Sequence, residues 1–338
     1  MPATIITDRV LVTDHSKWDA MIRPQELIDG GVTDVILKAG SGIASVDTCF
    51  QKNGELVAKY SKYLRLHAYW WDDPLYSGNA QALFAGKTLK ASGLPVLSLW
   101  GDMEQWWADW GKWTAARAGK LPWKNVPVFK PWALDSHCKA FAEALVKVWP
   151  VTGIYTGRGY ITTYAPSMKN WLGKYKIWFA AWGKQPLVAT KMSWKELRDK
   201  WLPNYDPIYK DTGIIKENIV GHQFTGDRCI LPGSYQDLLG WKRKAVDVSV
   251  FQTSFMEQMG EVSGTADDLT DTTPVPAGTP YIFLGSHLWV RNLPNETTAR
   301  LIDSLSKDQR VLVVETDGDW ALLDNPAGWV RLKWLTKL

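Results

Sequence analysis

Short apolar runs alternate with longer amphipathic stretches between residues 9 and 251 of this chain. Apolar runs rich in β-branched residues predict buried strands, and apolar positions spaced by three and four residues predict helices. The predicted strands are Arg9–Asp14, Asp34–Ala39, Leu64–Trp70, Pro95–Asp102, Gly153–Thr156, Ile177–Ala181, Ile219–Phe224 and Ala245–Phe251. The predicted helices are Pro24–Asp29, Phe50–Tyr63, Ala80–Ser92, Ser136–Val148, Tyr160–Trp171 and Ser193–Trp201. This alternation predicts a closed α/β barrel of the (β/α) type that becomes irregular in its final third, where helices are sparse.

The periodic pattern stops between residues 257 and 279. This stretch is small, polar and acidic, and prolines interrupt it, which is typical of a linker. We therefore predict a barrel domain at residues 1–256, a linker at 257–279 and a small domain at 280–338. Short strands in the small domain predict an all-β barrel, and they lie at Leu288–Pro294, Arg310–Glu315, Trp320–Leu323 and Gly328–Leu332.

Composition narrows the classes of partner. The 338 residues carry a net charge of +4, and the positive excess lies in residues 1–256. An excess of positive charge favours a polyanionic partner, either nucleic acid or an anionic cell wall. No long Lys/Arg run with interleaved aromatic residues is present, so we do not expect a nucleic-acid partner. The chain also contains 21 Trp, whose rings stack on sugar rings but also fill protein cores.

Several features are absent from the sequence. No apolar run reaches the length of a membrane span, so we expect no membrane insertion. The first residues lack a basic segment followed by an apolar one, so no signal peptide is expected. Cys49, Cys138 and Cys229 are scattered and odd in number, which predicts free thiols in a protein made in the cytoplasm. We predict neither a metal site nor a cofactor.

Two carboxylates at the end of the fourth predicted strand are the strongest candidates for chemistry. Asp102 and Glu104 follow the apolar run 94–99, and residues two apart in an extended chain point to the same side. Neighbouring carboxylates push their pKa values apart, so one can hold a proton while the other stays ionised. Cleavage of a glycosidic bond requires such a pair. Two solvated acids in a turn are the alternative.

Further acids occur at other predicted strand ends. Asp14 ends the first strand and Asp247 lies in the eighth, and these two strands are neighbours in a closed barrel. Since barrel enzymes place catalytic groups at the carboxyl ends of the strands, these acids could converge on Asp102 and Glu104. Helix caps or surface charges are the alternative.

The ordered set of these motifs resembles the glycoside hydrolase family 25 muramidases, the lysozymes of many phages and bacteria. The resemblance covers roughly residues 9–256 and rests on Asp14-His15-Ser16-Lys17-Trp18, Val35–Ala39, Asp102-Met103-Glu104, Gly153–Thr156, Ile177–Ala180, His222–Phe224 and Val246–Phe251. It implies a TIM-like barrel with fewer helices than strands. Gly101 and His222 depart from the family pattern, and residues 105–133 and 183–218 are longer than its minimum.

The resemblance also implies an activity. The substrate would be the β-1,4 bond between N-acetylmuramic acid and N-acetylglucosamine, cleaved with retention of configuration. Glu104 would be the general acid and then the general base. Asp102 would either attack the anomeric carbon or orient the substrate's acetamido group, and Asp14 and Asp247 would position Asp102 or the sugar. No metal is implied.

Six further residues at or near strand ends are expected to line the glycan cleft. They are Tyr69, Trp71, Trp106, Trp107, Trp182 and Gln223. Trp106 and Trp107 open a tryptophan-rich stretch at 105–133, which would form a sugar-stacking wall or a local hydrophobic cluster. Core packing is the alternative for each Trp.

The small domain resembles bacterial SH3-like domains through Leu288-Trp289-Val290-Arg291 and Gly328-Trp329-Val330. In lytic enzymes such modules commonly bind the cell wall. Together these resemblances imply a monomeric peptidoglycan hydrolase, a phage endolysin or virion-associated lysin, that reaches the wall after holin-type lysis or on a virion. A non-catalytic wall-binding or virion structural protein and a glycosidase acting on another N-acetylglucosamine polymer, such as chitin, are the alternatives.

Overall fold

The computed structural model of the chain describes residues 8–18, 21–183, 185–203, 207, 209–235, 243–261, 279–291, 294, 296, 299, 301–306, 309–323 and 328–337. Within these ranges the strands form one sheet of 11 strands and one of 7. The strands of the larger sheet are β1 (Arg9–His15), β2 (Met21–Ile22), β3 (Val32–Ser41), β4 (Ser45–Val46), β5 (Arg65–Trp71), β6 (Val96–Asp102), β7 (Thr152–Gly157), β8 (Ile177–Ala180), β9 (Thr190–Lys191), β10 (Ile219–Tyr235) and β11 (Arg243–Gln252).

Eight α-helices lie within the same ranges. They are α1 (Pro24–Asp29), α2 (Phe50–Ala58), α3 (Gly78–Ser92), α4 (Trp110–Arg117), α5 (Pro131–Val148), α6 (Arg158–Thr163), α7 (Trp194–Lys200) and α8 (Thr253–Glu261). Short 3-10 helices lie at Trp123–Asn125, Pro166–Asn170, Leu172–Lys174, Lys216–Asn218 and Leu332–Trp334.

The larger sheet closes into a barrel. Its strands follow the order β1-β11-β10-β8-β7-β6-β5-β3, and β3 pairs back to β1. Every neighbouring pair in this order that does not include β11 is parallel, and so is the closing pair β3–β1. Strand β11 is antiparallel to both of its neighbours, β1 and β10. The predicted α/β barrel with fewer helices than strands is therefore confirmed, and its irregular part is this β10–β11 hairpin.

Aromatic side chains fill the barrel interior. The ring of Trp100 meets those of Trp178 and Phe251 edge to face, at centroid distances of 6.0 and 5.5 Å. Met256 of α8 is fully buried in the same cluster. Because β11 ends opposite the start of β1, α8 covers the amino-terminal end of the parallel strands, which we name the closed end. The opposite end, where the parallel strands finish, is the open end.

Local differences from the predicted elements have physical causes. The helix expected over Tyr160–Trp171 ends at Thr163, because Pro166 lacks a backbone N–H and disfavours a helical residue before it. Gly101, a departure from the family pattern, lies where α5 packs closely on β6. A Cβ atom there would be 3.0 Å from Cε1 of Phe141.

The smaller sheet is antiparallel throughout. Its strands are β12 (Thr279–Phe283), β13 (His287–Arg291), β14 (Leu301–Ser306), β15 (Gln309–Asp317), β16 (Trp320–Leu323), β17 (Gly328–Arg331) and β18 (Leu335–Lys337), in the order β14-β13-β17-β16-β15-β12-β18. Val290, Leu305 and Val330 belong to its own buried core. The all-β character of this region is confirmed.

The predicted boundary at residue 256 falls within α8, and residues 262–278 of the predicted linker lie outside the described residues. The three cysteines are free. In the part of the chain that the structure describes, no helix is both long and apolar enough to cross a membrane.

Candidate active site

A cleft of about 1330 Å³ opens at the open end of the barrel. All ten residues predicted for the site line it. They are Asp14, Tyr69, Trp71, Asp102, Glu104, Trp106, Trp107, Trp182, Gln223 and Asp247. The closed barrel produces this convergence, since it brings the ends of distant strands around one opening.

The position of Asp102 and Glu104 follows from the end of β6. Asp102 is the last residue of the strand and pairs with Trp71 on β5 and Tyr155 on β7. The backbone remains held beyond the strand, because Met103 N donates to Tyr155 O at 2.9 Å and Thr156 Oγ1 donates to Met103 O at 2.9 Å. Both carboxylates consequently line the same cleft, two residues apart.

Burial changes the acidity of both groups. Burial raises the pKa of Glu104 to about 7, although the nearby ammonium of Lys38 opposes the change. Burial also raises the pKa of Asp102, and the negative charge of Glu104 raises it further. Among the described residues, Asp102 Oδ1 has no hydrogen-bond partner. The pair can therefore share a proton near neutral pH, and Glu104 is suited to donate one.

Lys38 is a site residue that the sequence reasoning missed. Its Nζ atom lies 4.4 Å from the ring centroid of Trp71 and 5.7 Å from that of Tyr69, on the wall of the cleft. Burial lowers the pKa of Lys38, and the negative charges of Asp102 and Glu104 oppose that change. The available signal was a single cation in the otherwise apolar run Val35–Ala39.

Asp14 and Asp247 face each other across the strand pair that closes the barrel. They are register partners on antiparallel β1 and β11. Gln223 Nε2 donates to Asp14 Oδ2 at 3.0 Å and to Asp247 Oδ2 at 3.4 Å. Its Oε1 atom accepts from Tyr155 Oη at 2.8 Å and from Trp182 Nε1 at 2.9 Å. Gln223 is only 2 % exposed, so its amide holds the two acids rather than presenting free donors to the cleft.

The tryptophan-rich stretch forms a local hydrophobic cluster, and part of it borders the cleft. The ring of Trp106 stacks on that of Tyr164, with a centroid distance of 4.7 Å and an interplanar angle of 5°. Trp107 is buried and forms a small core with Ala116 and Val126. Both tryptophans nevertheless line the cleft, so the stretch is a folded hydrophobic cluster whose surface is a cleft wall.

A second cavity of about 480 Å³ adjoins the cleft. The two cavities share Glu104, Trp106 and Trp182 as lining residues. Glu104 therefore lies where the two cavities meet.

The described residues contain no cluster of three or more His, Cys, Asp or Glu side chains that could hold a metal ion. His15, next to Asp14, is buried and its Nε2 atom lies 2.9 Å from Thr13 Oγ1. Burial lowers the pKa of His15 to about 3, so its ring is neutral at ordinary pH.

Comparison with known proteins adds structural relatives. No protein-family profile and no curated protein sequence matches this chain. Among solved structures, a muramidase from Trichobolus zukalii is 16 % identical and superposes with a TM-score of 0.50, covering 76 % of this chain and 100 % of its own. A family 25 glycosyl hydrolase from Bacillus anthracis is 18 % identical with a TM-score of 0.49, covering 76 % and 95 %. A lysozyme from Streptomyces coelicolor is 18 % identical with a TM-score of 0.49, covering 75 % and 97 %. The likeness to the Trichobolus zukalii muramidase shows that the barrel has the fold of that protein.

Proposed function

We propose that this chain is a peptidoglycan hydrolase that cleaves the β-1,4 bond between N-acetylmuramic acid and N-acetylglucosamine with retention of configuration. One observation carries the proposal. Glu104, with its pKa raised to about 7, lies beside Asp102 at the junction of two cavities. The fold shared with a muramidase of known structure supports the same reaction class.

The reaction begins with proton transfer. Glu104 donates its proton to the glycosidic oxygen as the bond to the anomeric carbon breaks, so the leaving sugar departs with a new hydroxyl group. Asp102 either forms a covalent bond to the anomeric carbon or holds the substrate's acetamido group while its oxygen forms that bond. Glu104, now ionised, removes a proton from water, and the water oxygen attacks the anomeric carbon from the face that the leaving sugar vacated, which breaks the bond to Asp102 or to the acetamido oxygen on the opposite face. Two inversions give net retention.

Residues around Asp102 and Glu104 set the charge of these two carboxylates and position the sugar. Lys38 supplies a positive charge near both carboxylates and favours the ionised state of one of them. Asp14 and Asp247, held by Gln223, place two more acids at the cleft wall, where they can accept hydrogen bonds from sugar hydroxyl or amide groups.

We further propose that the small all-β region is an SH3-like module that binds the cell wall. Tethering would raise the local concentration of the barrel at its substrate. A phage lysin released by holin-type lysis or carried on a virion fits this arrangement.

Analysis of new reducing ends tests the reaction. Purified peptidoglycan is digested, reduced with borohydride and hydrolysed, and the reduced amino sugars are identified. We expect muramitol from the wild type, and a loss of about 10²–10⁴-fold with Glu104→Gln, which is the contribution of a general acid. Glu143→Gln, the same change at an exposed position of α5, is the control and should act as the wild type does.

Other outcomes separate the alternatives. Glucosaminitol would show that the other glycosidic bond is cut. Cleavage of chitin oligomers without wall fragments would indicate a different N-acetylglucosamine polymer. A folded wild type that releases no new ends from several wall types would favour a binding or structural protein.

A further inference from the structure

One face of helix α4 forms part of the cleft wall. Trp110, Trp113, Thr114 and Arg117 are spaced by three, four and seven residues and therefore lie on the same face of the helix. All four line the cleft that contains Asp102 and Glu104. The helix belongs to the extra-long stretch 105–133 and was not among the predicted helices.

Trp110 and Trp113 of this face form one aromatic cluster with Trp107, which precedes the helix. The Trp107 and Trp113 rings stack with centroids 4.3 Å apart and an interplanar angle of 19°, and Trp113 stacks on Trp110 at 5.0 Å and 25°. Trp107 is 4 % exposed, whereas Trp110, whose ring centroid lies 6.2 Å from that of Trp107, is 56 % exposed. More than half of the Trp110 side chain is therefore open to solvent where it lines the cleft. A large apolar surface left open beside a cleft is a feature of binding sites.

Contacts within the stretch 105–133 hold this aromatic cluster in place. Asp109 caps α4 by accepting a hydrogen bond from Lys112 N at 2.9 Å. Trp107 packs with Ala116 and Val126 beneath the helix, and its backbone forms a β-bridge to Val128. A platform that is already ordered costs little conformational entropy when a ligand binds.

A positive charge flanks the platform. The Arg117 guanidinium carbon lies 5.3 Å from the ring centroid of Trp113. The rest of the cleft lining carries acids as well as cations, so Arg117 is the charge that belongs to this face. An indole ring with a guanidinium group beside it fits a sugar unit whose substituent carries a carboxylate, and peptidoglycan has carboxylates on its peptide stems.

We propose that the α4 face is a distal subsite for the glycan, which binds sugar units away from the bond that Glu104 cleaves. Trp110 stacks on the apolar face of a sugar ring, and Arg117 pairs with a carboxylate of its substituent. The subsite deepens the proposed function and rests on it. Its consequence is a preference for long glycan strands over short fragments.

Kinetics of the full chain on two substrates test the subsite. The substrates are soluble peptidoglycan glycan strands and a tetrasaccharide of two disaccharide units, and the measured quantity is the ratio of their kcat/KM values. We expect Trp110→Ala to lower the strand-to-tetrasaccharide ratio about fivefold to tenfold, mainly through a higher KM for strands. Arg117→Gln should lower the ratio less and make it less sensitive to salt. Trp132→Ala is the matched control, because Trp132 is 69 % exposed but does not line the cleft.

Two additions keep the result decisive. Trp110→Phe retains an aromatic ring and should restore most of the ratio, which a change in folding alone would not predict. Binding of uncleaved strands, followed by tryptophan fluorescence, gives a readout without turnover. A wild type that cleaves neither substrate would overturn the proposed function, whereas weaker strand binding by Trp110→Ala would still support the subsite. An unchanged ratio and unchanged binding in Trp110→Ala would overturn the subsite.

Discussion

Each end of the barrel buries a carboxylate, but the two carboxylates have different hydrogen-bond partners. At the closed end, Asp34 Oδ1 accepts hydrogen bonds from Arg65 Nε at 2.7 Å and from His67 Nε2 at 3.0 Å, and its Oδ2 accepts one from Arg65 Nη2 at 2.9 Å. At the open end, Asp102 Oδ1 has no hydrogen-bond partner among the described residues. Both side chains are almost completely removed from solvent.

Their acidities differ accordingly. Burial alone would raise the pKa of Asp34, but the hydrogen bonds from His67 and Arg65 outweigh it, and the pKa is lowered. For Asp102, burial and the charge of Glu104 act in the same direction and raise the pKa. Burial is common to both ends, so the neighbouring groups decide whether the pKa of a buried carboxylate is lowered or raised.

The closed end also contains a hydrogen-bonded network that resembles a catalytic triad but is buried. His67 Nδ1 lies 2.8 Å from Ser98 Oγ, so Ser98, His67 and Asp34 are connected in the order of a nucleophile triad. All three are fully buried, and Ser98 Oγ also accepts a hydrogen bond from Trp100 Nε1 at 2.9 Å. Because no substrate can reach Ser98, the network is structural.

The largest effect should come from breaking the closed end. Arg65→Leu leaves Asp34 buried without its bidentate partner and should lower the free energy of unfolding at pH 7 by about 3–5 kcal/mol. Since the folded pKa of Asp34 is lowered, this stability exists above the unfolded pKa and disappears as the pH falls through the folded value. Denaturant unfolding at several pH values measures the loss. Activity per folded molecule should not change, and a selective loss of activity would contradict the division between the two ends.

An intermediate effect should come from removing the cation at the open end. Lys38 lowers the pKa of Glu104, so Lys38→Met should raise that pKa and move the alkaline limb of the activity profile, near pH 7 in the wild type, upward by roughly one pH unit. Lys38→Arg keeps the charge and is the control. The pH dependence of kcat/KM on peptidoglycan gives the answer, and an unmoved limb in Lys38→Met would show that Lys38 does not act on Glu104.

The smallest effect concerns stability at the open end. Because burial raises the pKa of Glu104 from 4.5 to about 7, the folded state loses stability as the pH rises through this range. Glu104→Gln removes the buried charge and should stabilise the protein by about 1–3 kcal/mol at pH 8, with no gain below pH 4.5. Thermal unfolding at both pH values is the measurement. Equal stability of the two proteins at pH 8 would mean that the ionised carboxylate is well compensated.

Much of the barrel was predictable because buried strands are apolar and strand ends are not. The runs that end in Asp14 and Asp102 gave both the strands and their terminal acids, and closure of the barrel made Asp14 and Asp247 neighbours. Both acids line the cleft in the structure. The roles proposed for them stay predictions.

Other features depend on information that periodicity does not contain. A lysine in a strand is ordinarily read as an exposed position, so Lys38 was missed. The bonds from Tyr155 and Trp182 to Gln223 depend on the register of β7, β8 and β10, which no local pattern gives. Trp106 and Trp110 lie in the same tryptophan-rich stretch, and no sequence pattern distinguishes their environments. In the structure, Trp106 stacks on Tyr164, whereas Trp110 is exposed.

The antiparallel last strand also determines where the barrel begins and ends. Because β11 runs back to the closed end, its Gln252 pairs with Arg9, and Thr253 N donates to Asp8 O at 2.8 Å. Chain entry and exit therefore meet on the side away from the cleft. One end of the barrel thus joins its first and last strands, and the opposite end is left to the loops that surround the cleft.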